Sequence, residues 1–412
     1  MKFKKAIALL LITTACLNLT SCNSNKDKEK QKELNIYVDV KDKHSTNILK
    51  IIVEQFEEKN PKIKVNLTNA LGSNISEDIN KKPDKMDIIF TSRNNMIELA
   101  RKGVLSDLSL QYDKEKINEK NYTVISCYGR FNDKSYGIPL IPYTIEAACN
   151  TNELSKLKIP VPKNANELSS LIHAINSKGV RIPVILTDEL DIYEGLSSIV
   201  INNMVNESKL ESIYDSSSNA YKSVTEMQQA FDTLDSLVSK SVINKNLFEI
   251  GNESTLSKLS RGDIPLAIFI SYYDYAIESK DVEAIDYHYN LTTGKESIPV
   301  IVNALACMPV NIKNGQEAND FIKFMESDDA QKAVLKKGFI TGNKKANEAN
   351  KNVIGKSTIK HLQLSNENSV IYLDNLPKSI RQGVSSQINN IISGSSEKGR
   401  EWNTIVDQAY KE

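Results

Sequence analysis

Residues 86–109 read MDIIFTSRNNMIELARKGVLSDLS, and the order of features in that stretch decides the fold class. An apolar run through Ile88, Ile89 and Phe90 gives way to polar Thr91, Ser92, Arg93, Asn94 and Asn95, and then to a helical pattern capped near Asn94 or Asn95 and stopped at Gly103. A strand that feeds directly into a helix is the repeating unit of an α/β sheet. The same alternation extends in both directions. Upstream, LNIYVDV (34–40) leads into a segment where Ile48, Leu49, Ile52, Val53 and Phe56 recur at helical spacing, with Ser45 or Thr46 as cap and Asn60-Pro61 as stop. Downstream come RIPVILT (181–187), a long helical region at 223–240 and IPLAIFI (264–270). The pattern predicts buried parallel strands with helices on both faces. Such sheets bind ligands at the carboxyl ends of their strands, so the loops after each strand are the places to look for a site.

The chain start, MKFKKAIALLLITTACLNLTSC, has a basic head, an uncharged aliphatic run and then small residues. This is the layout of a secretory leader, too short to span a bilayer. Leu19-Thr20-Ser21-Cys22 resembles the bacterial lipobox, which implies cleavage after residue 21 and a lipid anchor on Cys22; an ordinary cleaved leader is the alternative. Residues 22–33, rich in lysine and acid, read as a solvated tether. Basic and acidic residues number 52 each, for a net charge of 0; loss of residues 1–21 removes three lysines and no acid, leaving −3. Nothing in that balance suggests a nucleic-acid partner. The remaining 391 residues exceed what one core normally serves and predict two lobes. Cys127, Cys149 and Cys307 have no paired spacing and read as buried small hydrophobes.

Enzyme signatures are missing. Four histidines show no metal-ligand spacing, no nucleophile-elbow motif occurs, and TTGKES around Lys295 lacks the leading glycine of a phosphate-binding loop. The expectation is a non-enzyme with no cofactor.

Five segments in order carry a family resemblance: VEQFEEKNPKIKVNL (53–67), the opening stretch at 86–109, KSYGIPLIPYTIEAACNTNEL (134–154), LSRGDIPLAIFISYYDY (259–275) and ANDFIKFMESDDAQKAVLKKG (318–338). Together they resemble the extracellular solute-binding proteins of family 1, the receptors of ABC sugar importers that include the maltodextrin-binding proteins. The resemblance implies an α/β, two-lobed, periplasmic-binding-protein-like fold of type II, with ligand held between hinged lobes and passed to ABC permease subunits. It implies crossings at Pro142–Glu146, Asp286–Pro299 and Gly338–Asn352, so that 34–143 with 297–345 forms lobe 1 and 144–296 with 346–412 forms lobe 2. Pro139 and Pro142 fit a stiff connection, since proline cannot sit in mid-sheet.

Strand-end logic and the resemblance together point to Asp39, Lys41, Asp42, Lys43 and His44 after the first strand, and to Thr91, Ser92, Arg93 and Asn94 after MDIIF. Carboxylates, arginine and amides in such loops can hold sugar hydroxyls in fans of hydrogen bonds. Glu146, in the apolar run YTIEAAC, needs a partner, either ligand or a structural ion pair. Tyr272 and Tyr273 stand where relatives often stack a tryptophan on a sugar ring, and the only tryptophan, Trp402, lies near the C-terminus. The expected ligand is a small sugar or similar solute. Two alternatives stay open: a ferric-ion receptor using the neighbouring tyrosines, and a ligand sensor reporting to a membrane kinase.

Overall fold

The computed structural model describes residues 31–69, 75–81, 85–202, 204–286 and 298–411. The lipobox with most of the tether, His288, Lys295 and the middle of the expected second crossing lie outside these residues.

Two sheets organise the chain. In the first, β1 (Lys32–Asp39) lies between β2 (Ile63–Asn69) and β3 (Ile88–Thr91), parallel to both. The hairpin of β4 (Arg130–Phe131) and β5 (Lys134–Ser135) stands apart, and β6 (Gly137–Pro139) closes the first sheet as an edge strand. The second sheet runs from β7 (Tyr143–Asn150) through β8 (Ile182–Ile185), β9 (Phe248–Ile250) and β10 (Leu266–Ile270) to β11 (Val282–Ala284), in the order β11-β7-β10-β8-β9. Also paired with β7 is β12 (Val300–Ile301), whereas β13 (Leu305–Cys307) returns to the first sheet between β3 and β6.

Both sheets are mixed, which corrects the expectation of parallel strands. β13 is antiparallel to β3, and β7 is antiparallel to β10, because these strands enter from the opposite lobe and not through a right-handed crossover. Sheet switching occurs at 140–142 and again at 302–304. These two connectors run side by side, with the Leu140 amide donating to the Ala304 carbonyl at 2.9 Å. Because β12 still pairs with β7, the second switch comes a few residues later than the interval 286–299. Further on, the helix Asp328–Lys336 packs on the helix Lys43–Lys59 of the first lobe, whereas the helix Val353–Leu364 packs on β7 and β11 of the second.

The helix Lys43–Lys59 buries Ile48, Leu49, Ile52, Val53 and Phe56, the apolar stripe legible in the sequence. Phe56 ends that stripe edge-on to Phe321, with ring centroids 5.1 Å apart. Its cap is Asp42, whose carboxylate accepts from the Ser45 amide, and not Ser45 or Thr46. For the helix Arg93–Arg101 the cap is Ser92, ahead of Asn94 and Asn95, and this helix unwinds at Gly103, whose φ of +68° suits a residue without a Cβ. SYYDY forms a 3-10 turn, Ser271–Ala276, directly after β10. Trp402 is core of the second lobe, its Nε1 donating to the Tyr221 carbonyl at 2.7 Å. Cys127, Cys149 and Cys307 are free and buried. Among the described residues no helix is long and apolar enough to cross a membrane.

Candidate functional site

The carboxyl ends of the two sets of strands face each other across a cleft of about 670 Å³. On the first-lobe side, register places Asp39 at the end of β1 opposite Thr91 at the end of β3. The Asp39 carboxylate accepts from Thr91 Oγ1 at 3.2 Å and Asn95 Nδ2 at 2.8 Å. Burial pushes its pKa up, and these hydrogen bonds only partly offset that. Lys41, Ser92, Asn94, Asn95 and Glu98 complete this wall.

The second-lobe wall is built around Arg381, on the helix Lys378–Ser393. Its guanidinium meets Asp374 at 3.2 Å and Glu194 at 3.6 Å and donates to the Glu189 carbonyl at 3.0 Å. It also donates to Asn94 Oδ1 at 3.2 Å, across the lobes. Burial works against the arginine charge, but Asp374 and Glu194 outweigh it and hold the pKa above its ordinary value. Asn94 is fixed from below as well, its amide donating to the Leu376 carbonyl at 2.7 Å. At the hinge side of the cleft stands Asn303, on the second connector; it is 5% exposed and its Nδ2 has no hydrogen-bond partner. A buried donor without an acceptor costs on the order of 1–3 kcal/mol, which an acceptor on a bound solute would recover. No aromatic side chain lines the cleft among the described residues.

A second group sits beside this cleft. Asp42, at the start of the helix Lys43–Lys59, holds His44 Nδ1 at 2.9 Å, and His44 Nε2 lies 2.8 Å from the Tyr273 hydroxyl of the other lobe. Burial would raise the Asp42 pKa, yet the hydrogen bonds from His44 and Ser45 keep it below its ordinary value. The Lys43 amide donates to Asp188 at 3.3 Å and the Lys41 amide to Glu189 at 2.8 Å, so the loop after β8 closes on the loop after β1. Tyr272 is stacked on Phe339, with centroids 4.6 Å apart and planes at 21°. Tyr272 and Tyr273 are both buried in this conformation.

The remaining two expected residues lie in closed networks. Arg93 is 1% exposed and donates to the carbonyls of Cys127, Tyr128 and Arg130, to Asn375 and to Glu211, so every face of its guanidinium is occupied by protein. Glu146 accepts from Thr144 Oγ1 and pairs with His361 Nδ1 at 2.9 Å, while His361 Nε2 reaches Asp286 at 2.8 Å. Burial alone would lower the His361 pKa; Glu146 and Asp286 reverse that and raise it to about 9. Of the two partners considered for Glu146, this geometry supplies the ion pair.

Thus Asp39, Ser92 and Asn94 line the cleft, Asp42, Lys43 and Tyr273 gather around His44, and Tyr272, Arg93 and Glu146 are packed. Sequence reading missed Glu189, Glu194, Asn303, Asp374 and Arg381. Glu189 follows β8, where the strand-end rule applies equally; Arg381 and Asp374 come from helical segments that no local signal marks.

The comparisons with known proteins agree with this architecture. The model of a family described as bacterial extracellular solute-binding protein matches residues 52–358, about three-quarters of the chain. The GacH receptor of Streptomyces glaucescens, described unliganded and in complex with acarbose, superposes with a TM-score of 0.63 at 15% identity, covering 92% of this chain and 98% of that one. A family 1 extracellular solute-binding protein from Bifidobacterium longum subsp. infantis gives 0.67 at 15% identity, covering 92% and 99%. A solute-binding protein of an ABC transporter from Thermotoga lettingae, described as bound with α-D-tagatose, gives 0.64 at 13% identity, covering 92% and 99%. No curated protein matches the sequence significantly. A two-lobed α/β architecture with a polar cleft at its strand ends, matched by the family model over most of its length, places this chain among the bacterial extracellular solute-binding proteins, a family of non-catalytic receptors.

Proposed function

We propose that this protein captures a small, hydroxyl-rich solute, a monosaccharide or similar polyol, between its lobes and hands it to an ABC permease from a lipid anchor at Cys22. The observation that carries the reading is the cleft itself: both walls present hydrogen-bonding groups, Asp39, Ser92 and Asn94 from one lobe and Arg381 and Glu194 from the other. A volume of about 670 Å³ suits a small ligand together with water. Relatives of this fold described with acarbose and with α-D-tagatose support a carbohydrate class. The lack of aromatic lining favours a ligand held by hydrogen bonds over an oligosaccharide stacked on rings. Lobe assignments follow the boundaries expected from the sequence, with the second crossing moved to 302–304.

A thermal-shift screen over mono- and disaccharides, polyols and charged small solutes tests the ligand class. Binding to the folded form alone stabilises by about 4 kcal/mol at a thousandfold excess over Kd, which raises the melting temperature by several degrees. A response confined to non-hydroxylated solutes would replace the sugar reading. For the anchor, Cys22→Ala is expected to abolish lipid modification by mass spectrometry; a lipidated variant would refute the lipobox reading.

A further inference from the structure

We infer that Asp42, His44 and Asp188 form a site for a divalent transition-metal ion of zinc-like preference, bridging the two lobes beside the solute cleft. One ligand atom from each of the three lies within 4.8 Å of the others. Two of the residues belong to the first lobe, at the start of the helix Lys43–Lys59, and the third follows β8 in the second. The separation is wider than a coordinated set requires, so a small approach of the Asp188 loop completes it.

The donor set decides the class of ion. One imidazole nitrogen and two carboxylate oxygens suit zinc and its borderline neighbours, whereas calcium and magnesium take oxygen alone. Three protein donors leave the fourth position of a tetrahedral ion for water. The surroundings hold these groups as outer partners of a metal site do. His44 is oriented by Tyr273 at its Nε2 and by the ring of Tyr272, whose centroid lies 4.3 Å away. This leaves Nδ1 facing Asp42, where an ion would take the place of the hydrogen-bonding proton. Asp42 is oriented through its second oxygen, which accepts from the Ser45 amide at 2.8 Å and the Ser45 hydroxyl at 2.7 Å, so Oδ1 is left for the ion.

Access and charge also fit. Asp42 and His44 are buried, whereas the Asp188 side chain is 42% exposed and opens the cluster to solvent. The neighbouring cation is Lys43, 3.7 Å from Asp188 and itself 68% exposed, so it can swing away. Because the donors come from both lobes, the ion favours the closed arrangement, and by linkage it tightens solute binding as solute tightens ion binding.

Zinc titration of the metal-stripped full protein, followed by thermal shift and calorimetry, tests the site. The expected result is one-to-one binding with a rise in melting temperature of several degrees at roughly a hundredfold excess over Kd. Asp188→Asn, at an exposed loop position, is expected to remove that rise and weaken binding at least tenfold; His44→Gln is expected to do the same. No zinc-dependent shift, or a shift that survives both substitutions, would overturn the assignment. A shift with ferric ion and a synergistic anion but none with zinc would overturn it too. The readout needs no solute, so it stands or falls apart from the sugar reading.

Discussion

Arg93 and Arg381 are both drawn into acidic and carbonyl-rich surroundings, yet they do different work. Arg93 is 1% exposed and its donors end on three backbone carbonyls, an amide and Glu211. Arg381 keeps 20% of its side chain exposed, joins Asp374 and Glu194 in one lobe to Asn94 in the other, and borders the cleft. A guanidinium whose donors are all used inside the protein is a staple, whereas one shared between lobes beside open volume is a group that a ligand and a closing motion can both reach. Residue type did not separate the two; the number of acceptors already engaged did.

The largest effect that sharpens this contrast is on stability. Arg93→Ala leaves Glu211, Asn375 and three carbonyls without their donor, and removal of one partner from a buried ionic network costs about 3–5 kcal/mol. Chemical denaturation is expected to show that loss, while solute affinity per folded molecule stays unchanged. A large affinity loss with intact stability would make Arg93 a ligand residue after all.

The Glu146–His361–Asp286 triad is a second closed network, and its signature is pH dependence. His361 titrates near 9 in the folded state against 6.5 for the free side chain. Its contribution is therefore complete below about pH 6.5 and lost as pH rises through 9, an effect on the order of 3 kcal/mol. Stability measured from pH 6 to 10 is expected to fall across that window, and His361→Gln to flatten the fall. An unchanged slope in the variant would assign the titration to another group.

Much of the fold was legible because periodicity is local. The stripe from Ile48 to Phe56 and the strand-to-helix order at 86–109 are read without knowing any long-range contact. Caps were misplaced by two to four residues, since Asp42 and Ser45, or Ser92 and Asn94, offer similar side chains and only backbone geometry decides between them. At the candidate site, the strand-end rule named Asp39, Ser92 and Asn94, which line the cleft because β1 and β3 end side by side there. The fate of Arg93 was not legible: its acceptors include carbonyls 34 to 37 positions away and Glu211, which is 118 positions away. Arg381 reaches the cleft through helix packing, which leaves no periodic trace.

Smaller effects bear on the cleft. Arg381→Met is expected to weaken solute binding about tenfold to a hundredfold, by isothermal titration, through loss of charge-assisted hydrogen bonds and of the link to Asn94. Its stability loss should be smaller than that of Arg93→Ala, and the reverse order would erase the distinction between the two arginines. Asn303→Ala is expected to cost about 1 kcal/mol of affinity while leaving unliganded stability unchanged or raised, since it removes a buried donor without a partner. A clear drop in unliganded stability would mean that Asn303 is a structural group.

A bound solute is expected to bring the lobes together around the cleft, and small-angle X-ray scattering with and without a saturating solute, its binding confirmed by calorimetry, reads that closure directly. The radius of gyration is expected to be smaller in the bound state as the walls bearing Asp39 and Arg381 approach. An unchanged radius at full occupancy would contradict it.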